Sequence, residues 1–213
     1  KDNRSYVGNS KTPYSGLVID TYDNGSKKLK REYKGGLADG LSTWWYDSGN
    51  REYEANYKGG KRNGAAISWY YSGQIKSKQI YKLGVKDKLR TEWYDSGHKK
   101  YEVTVVDGRR NGLELTWYGN GQMERKANYI NGVRNGDLTT WYDTGQKETE
   151  IFYKNGKREG VTTSWYSSSK LKYKMRYKEG IFHGLSVVWH FNGQRKCQDN
   201  FVDGKKDGTS TVW

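Results

Sequence analysis

Apolar and polar residues alternate with a period of two along most of this chain, and glycines cut the alternating stretches at regular intervals. Such alternation marks half-buried strands, not helices. Leu41, Thr43 and Trp45 fall on one face of such a strand, and Ser42, Trp44 and Tyr46 on the other. The next stretch sets Tyr53, Ala55 and Tyr57 against Glu52, Glu54 and Asn56. Between them, Asp47-Ser48-Gly49-Asn50 predicts a short hairpin turn. A longer return, Lys58 to Gly64, ends in Asn-Gly, a strong turn signal. Asp39-Gly40, Asn111-Gly112, Asn135-Gly136 and Asp207-Gly208 repeat it.

The spacing is constant. Trp45, Trp69, Trp93, Trp117, Trp141, Trp165, Trp189 and Trp213 stand 24 residues apart without insertion or deletion. A fixed period of this length predicts a repeat array whose units contact mainly their neighbours. Residues 16–213 hold eight full units and a terminal half-unit that opens at Gly208; residues 1–15 lack the pattern and predict an N-terminal tail or cap. In most units Tyr follows Trp directly, a glycine lies four residues after Trp, and an aromatic twelve after; in all eight another glycine lies fifteen after. The expected fold is all-β: β-hairpins joined into one elongated, twisted meander of about 16 or 17 antiparallel strands. At about 4.8 Å per strand such a sheet would run on the order of 75–80 Å. If the aromatics share a face, Trp45 lies opposite Tyr53, Thr43 opposite Ala55 and Leu41 opposite Tyr57, with Tyr53 beside Trp69 and Tyr57 beside Ala65. With no helical segment to cover it, that face is expected to close by twist or by self-association.

Hydrophobic residues make up only 33 % of the chain, but 15 % of all residues are aromatic, so Trp and Tyr must supply the thin core. The net charge of +14 favours anionic partners as a class. The single cysteine, Cys197, excludes an intrachain disulfide and occupies a place filled elsewhere by Tyr53, Tyr101 or Tyr173, as a small core replacement.

Catalytic chemistry finds little support. With three histidines, His98, His183 and His190, neither a metal-ligand cluster nor a Ser-His-Asp arrangement can be assembled. Glycines here close turns; none follows a strand and opens a helix, as a phosphate-binding loop requires. The expectation is no enzyme, no metal and no cofactor.

Two surfaces are candidates for binding. One is the tyrosine ladder Tyr46, Tyr70, Tyr94, Tyr118, Tyr142 and Tyr166, begun by Tyr22 and ended by His190. Beside it stand Lys28, Lys76, Lys100 and Lys172, whose stems are equally able to shield the rings. The other is a basic edge along the return turns: Lys61, Arg62, Arg109, Arg110, Arg134, Lys157, Arg158, Lys205 and Lys206, with Lys86 among them. Anionic lipid or an acidic polymer suits that edge. Nucleic acid suits it less, because no groove-reading element is present and aromatic and basic residues are expected on different surfaces.

The unit Gly-Leu-x-x-x-Trp-Tyr-x-x-Gly, continued by Tyr-x-x-Gly-x-x-Asn/Asp-Gly, resembles the MORN repeat, and more closely its bacterial variant. Segments 112–136 and 136–160 carry the pattern best, and the resemblance extends over residues 16–213. It implies an array of β-hairpins that scaffolds protein assembly or docks on membranes, and in some bacterial members an antitoxin role. Thr21 stands in place of the first Trp, Lys88 in place of an opening Gly, Val105 in place of Tyr, Ser169 in place of a turn Gly and His190 in place of Tyr. The fourth unit is therefore the weakest match. The expected function is a non-enzymatic scaffold for protein association, self-association included, with a cell-envelope or secreted setting favoured over the cytoplasm.

Overall fold

A computed structural model describes residues 5, 8 and 11–213; the rest of the predicted N-terminal tail or cap lies outside the described residues. Among the described residues there are strands and turns but no helix, and the strands pair antiparallel. The chain divides into two compact units, Lys1–Arg109 and Arg110–Trp213. The first holds β1 (Gly16–Thr21), β2 (Lys27–Lys34), β3 (Leu37–Trp45) and β4 (Arg51–Lys58). After these come β5 (Lys61–Trp69), β6 (Ile75–Lys82), β7 (Val85–Trp93) and β8 (Lys99–Val106). The second is entered through β9 (Arg109–Trp117), followed by β10 (Met123–Ile130), β11 (Val133–Trp141) and β12 (Lys147–Lys154). It continues with β13 (Lys157–Trp165), β14 (Leu171–Lys178), β15 (Ile181–Trp189) and β16 (Arg195–Val202). Two short strands, β17 (Lys205–Lys206) and β18 (Thr211–Val212), both lie along β16 and bring the described strands to 18, beyond the 16 or 17 expected. From β1 to β8 and from β9 to β16 each strand pairs with the next in sequence, so each unit is a meander.

Two kinds of turn alternate. In the short turn after each Trp, Gly49 N–H donates to the Tyr46 carbonyl and Tyr46 N–H to the Asn50 carbonyl, both at 2.9 Å. Glu52 is then left over as a bulge between the pairs Trp44–Tyr53 and Trp45–Arg51. The return turn is shorter than the sequence suggests. Asn155 (φ 50°) and Gly156 (φ 81°) are both left-handed, as a two-residue type I′ turn demands, and Lys154 faces Lys157 at once. The Asn-Gly pairs expected to end a long return sit inside the following strand. Asn135 and Gly136 fall in a bulge where Ala127 faces Leu138 but Tyr129 already faces Arg134. Gly136 at φ 97° supplies a backbone that a side chain would strain. The residue before it clasps the next repeat: the Asn135 Oδ1 accepts the Asn155 N–H at 3.0 Å, and Asp39 and Asn63 hold Gly59 and Leu83 in the same way.

These turns set the register, and they correct the expected one. Trp44, not Trp45, faces Tyr53; Ser42 faces Ala55; Gly40 faces Tyr57. Across the return, Tyr53 faces Ser68 and Tyr57 faces Arg62, not Trp69 and Ala65. A shift of one residue moves a whole row to the other side of a sheet. The Trp row and the Tyr row therefore occupy opposite faces.

The inner face carries the core. Its middle row is mainly small or aliphatic: Ser42, Ala55 and Ala66 in the first unit, Ala127, Leu138, Ile151 and Thr162 in the second, all buried. Longer side chains flank that row and cover it from the margin, with Tyr81, Tyr129, Tyr153 and Tyr177 also buried. On the outer face Thr43, Thr91 and Val187 are buried in line with half-buried Trp residues. At the start of the array, the Gly36 N–H donates to the Tyr14 carbonyl at 2.7 Å, and the Tyr14 ring meets Tyr33 at 6.1 Å. This is the bond that Gly60 makes to Ala38 one repeat later.

Ser169 tests how far turn geometry governs stability. It holds φ 62° where the other short turns use glycine. Ser169→Gly is expected to raise stability by about 1 kcal/mol, and Gly145→Ser to lower it by a similar amount, in urea unfolding. No change in the urea midpoint for either variant would contradict this reading.

Candidate binding surfaces

The tyrosine ladder is engaged from within. The hydroxyls of Tyr22, Tyr46, Tyr70, Tyr118, Tyr142 and Tyr166 each donate to the carbonyl of the Trp 23 residues ahead, at 2.7–2.9 Å. Each bond ties the short turn of one repeat to the strand end of the next. Lys28, Lys76, Lys100 and Lys172 lie over the rings of Tyr22, Tyr70, Tyr94 and Tyr166 at 5.4–5.7 Å. The shielding reading of those lysines fits this geometry; flat platforms open to a ligand do not.

The basic edge separates into two rows. Lys61, Arg109, Lys157, Lys205 and Lys206 are exposed at or beside the return turns. Arg62, Arg110, Arg134 and Arg158 turn onto the inner face. Arg62 lies over Tyr81 at 4.1 Å, Arg110 over Tyr129 at 4.3 Å, Arg158 over Tyr177 at 5.2 Å and Arg134 over Tyr153 at 5.5 Å. Each stacks across to the next repeat. Cation–π pairs of this kind contribute about 0.5–1 kcal/mol each when exposed and more when desolvated. The expectation that aromatic and basic residues lie on different surfaces is corrected here: a two-residue turn brings the arginine, seven residues before Trp, back to the tyrosine face. They are interleaved, but with one another.

One acid lies deep in this inner face. The Glu114 side chain is 4 % exposed and accepts from Arg110 at 2.9 Å and from Arg125 at 2.5 Å. Arg125 and Arg110 also donate to the Tyr129 hydroxyl, at 2.8 and 3.2 Å. The equivalent place one repeat on is Leu138. A carboxylate between two guanidinium groups is met by charge-assisted hydrogen bonds, which suits a packing role in this face. No group of three or more His, Cys, Asp or Glu among the described residues is placed to hold a metal ion. His183 Nδ1 lies 3.6 Å from Asp203. Cys197 is half-buried on the inner face, opposite Val188 and Val212.

The outer face is where a surface was missed. Four residues before five of the eight Trp residues stand Leu41, Leu89, Leu113, Val161 and Leu185, which are 37–51 % exposed; Ala65, Asp137 and Thr209 take the place before the other three. They lie beside the Trp rows with no other element over them among the described residues. A charge pattern of twice the repeat length accompanies them. Nine residues after Trp, or its Thr21 equivalent, the chain reads Lys30, Glu54, Lys78, Glu102, Lys126, Glu150, Lys174. Where that residue is Glu, a base three residues earlier neutralises it: Arg51–Glu54 at 3.7 Å, Lys99–Glu102 at 2.8 Å, Lys147–Glu150 at 2.5 Å. Where it is Lys from the third repeat on, the same earlier position is apolar, Ile75, Met123 or Leu171. Lys78, Lys126 and Lys174 carry no ion pair among the described residues. Aligning the sequence on 48 residues instead of 24 would have exposed this alternation.

Tyr118→Phe leaves the Trp141 carbonyl without its donor and is expected to cost about 1 kcal/mol in urea unfolding at neutral pH. Burial first, and nearby carboxylates such as Glu52, Asp95, Glu124 and Glu148 next, raise the hydroxyls of Tyr46, Tyr70, Tyr118 and Tyr142 above the usual value of about 10. The neutral form is thus favoured in the folded state. The associated stability is fully present below pH about 10 and is lost as pH rises through the raised values. Replacing all four by Phe is expected to flatten that alkaline loss; an unchanged slope would contradict it. Arg125→Ala removes one of the two guanidinium partners of a buried carboxylate and is expected to destabilise by about 1–3 kcal/mol, while Glu114→Leu costs little or stabilises. Equal costs for the two would contradict the packing role.

Comparison with known families agrees with the geometry. The family described as MORN repeat variant matches at residues 38–58, 62–83, 110–131, 134–155 and 158–179, just over half of the chain. The gap at 84–109 contains Lys88, which adopts φ 59° where its counterparts are glycines of larger φ, and Val105 in place of Tyr. No curated protein matches the chain. Repeats of this family are in general non-catalytic modules, often binding proteins or membranes. An all-β hairpin array with a 24-residue unit, stitched turn to turn, belongs to the MORN repeat variant family.

Proposed function

We propose that this chain is a non-enzymatic scaffold that associates with protein partners through the outer face of its sheets. One observation carries the reading: Leu41 and Leu89 in the first unit, and Leu113, Val161 and Leu185 in the second, are exposed on an outer face with nothing over them among the described residues. Exposed large apolar side chains grouped on one face and rimmed by polar groups are characteristic of association sites. The other surfaces are committed internally, the tyrosine ladder to Trp carbonyls and the inner face to arginine–tyrosine stacking.

A second reading is peripheral attachment to an anionic membrane or envelope polymer through the exposed edge bases Lys61, Arg109, Lys157 and Lys205. It is weaker than composition suggests, since Arg62, Arg134 and Arg158 are half-buried over tyrosines. The two readings differ in salt response, because exposed edge charges are screened and apolar contact is not.

The test is quantitative cross-linking in extract of the source cells, at low and high salt. Leu41→Glu with Leu113→Glu is expected to lose partners several-fold at both salt levels, while Lys61→Glu with Lys157→Glu retains them. Partners kept by the leucine variant would defeat the proposal, and loss confined to the lysine variant would favour the membrane or polymer reading.

A further inference from the structure

We infer that the outer face between β13 and β15 holds a docking groove for an acidic protein segment bearing a bulky apolar residue. The inference rests on the proposed scaffold role and names the partner chemistry for one part of that surface. The groove encloses about 450 Å³ and is floored by Val161, Leu185 and Val187 against the Trp189 indole. Lys174, Arg176 and His183 line it, and no carboxylate does.

Two other grooves among the described residues lack this combination. The one at Leu17 includes Glu32 and Asp39, and the one at Phe152 includes Asp137 and Glu150. The sequence of β14 explains the difference. Lys172, Lys174, Arg176 and Lys178 alternate onto one face of that strand with no acid among them. Lys174 is one of the lysines whose companion position, Leu171, is apolar, so no ion pair is made in cis. Arg176 is unpaired too among the described residues, and its aliphatic stem is held in place: a Cβ on Gly184 would meet Arg176 Cδ at 3.1 Å. The glycine lets the stem lie flat against the next strand and leaves the guanidinium at the rim.

The floor and rim together define the ligand. Val161 and Leu185 are each 51 % exposed, and burying such side chains against an apolar partner is favourable. Two unpaired cations beside them favour carboxylates that flank the apolar group. They also repel basic segments, which gives discrimination as well as attraction. An acidic peptide satisfies both demands at once.

The experiment uses the full chain and a fluorescein-labelled peptide in which Phe and Leu are flanked on both sides by pairs of Glu. Fluorescence anisotropy is expected to report saturable binding, weakened at least about tenfold by Lys174→Glu with Arg176→Glu. Both positions tolerate Glu, since Glu150 fills the first one repeat earlier and Glu32 fills the second six repeats earlier. A peptide with Lys in place of Glu is expected to bind the charge-reversed variant and not the native chain. No binding of the acidic peptide, or equal binding by native and variant chains, would overturn the inference. So would capture of phosphatidylserine vesicles by the native chain without peptide binding, which would assign the groove to a lipid surface. If the peptide fails while Leu41→Glu with Leu113→Glu still loses cross-linked partners, the groove falls and the scaffold reading stands.

Discussion

A sheet one layer thick has no second layer against which to bury its apolar side chains, and this constraint accounts for most of what the chain does with its residues. Each repeat must lend its neighbour the cover that a second layer would give. Small residues such as Ala55, Ala66 and Ala127 occupy the middle of the inner face, and tyrosines and arginines reach over them from the flanking rows. Nearly every such contact is between one repeat and the next. The same holds at the two edges, where tyrosine hydroxyls bind Trp carbonyls on one side and side chains such as Asn135 hold return turns on the other. Stability is therefore shared along the array and not gathered in one core.

The secondary structure and repeat length were legible in the sequence because they depend on local patterns. Alternation gave strands, and the 24-residue spacing of Trp gave the unit. Register was not legible in the same way. Burial of aromatic residues argues for one shared face, but bulges at Glu52 and at Asn63-Gly64 shift the pairing by single residues and send Trp and Tyr to opposite sides. Asn-Gly was read as a turn because turns are where that pair is commonest; here its left-handed glycine serves a bulge and its asparagine serves the next repeat. Arg62 and Arg134 were placed on a basic edge for the same reason, since their inward direction depends on a turn two residues long.

Candidate surfaces followed from that error in a consistent way. The tyrosine ladder was conspicuous in the sequence because it is regular, and it is regular because it is structural. The outer-face leucines were inconspicuous because they were assigned to the buried Tyr face. Charge on that outer face is organised over two repeats, with glutamates neutralised locally and lysines left unpaired, so the surface is polar without being uniformly basic. A net charge of +14 says less about partners than the placement of cations such as Lys174 and Arg176, which no carboxylate answers among the described residues.

The division of the sheet into a closed inner face and an open outer face can be measured directly by hydroxyl-radical footprinting of the native chain. Leu113, Val161 and Leu185 are predicted to be modified readily, while Tyr81, Tyr129, Tyr153 and Tyr177 are protected until the chain unfolds. Protection of the leucines together with rapid modification of those tyrosines would contradict the two-face arrangement and the register that produces it.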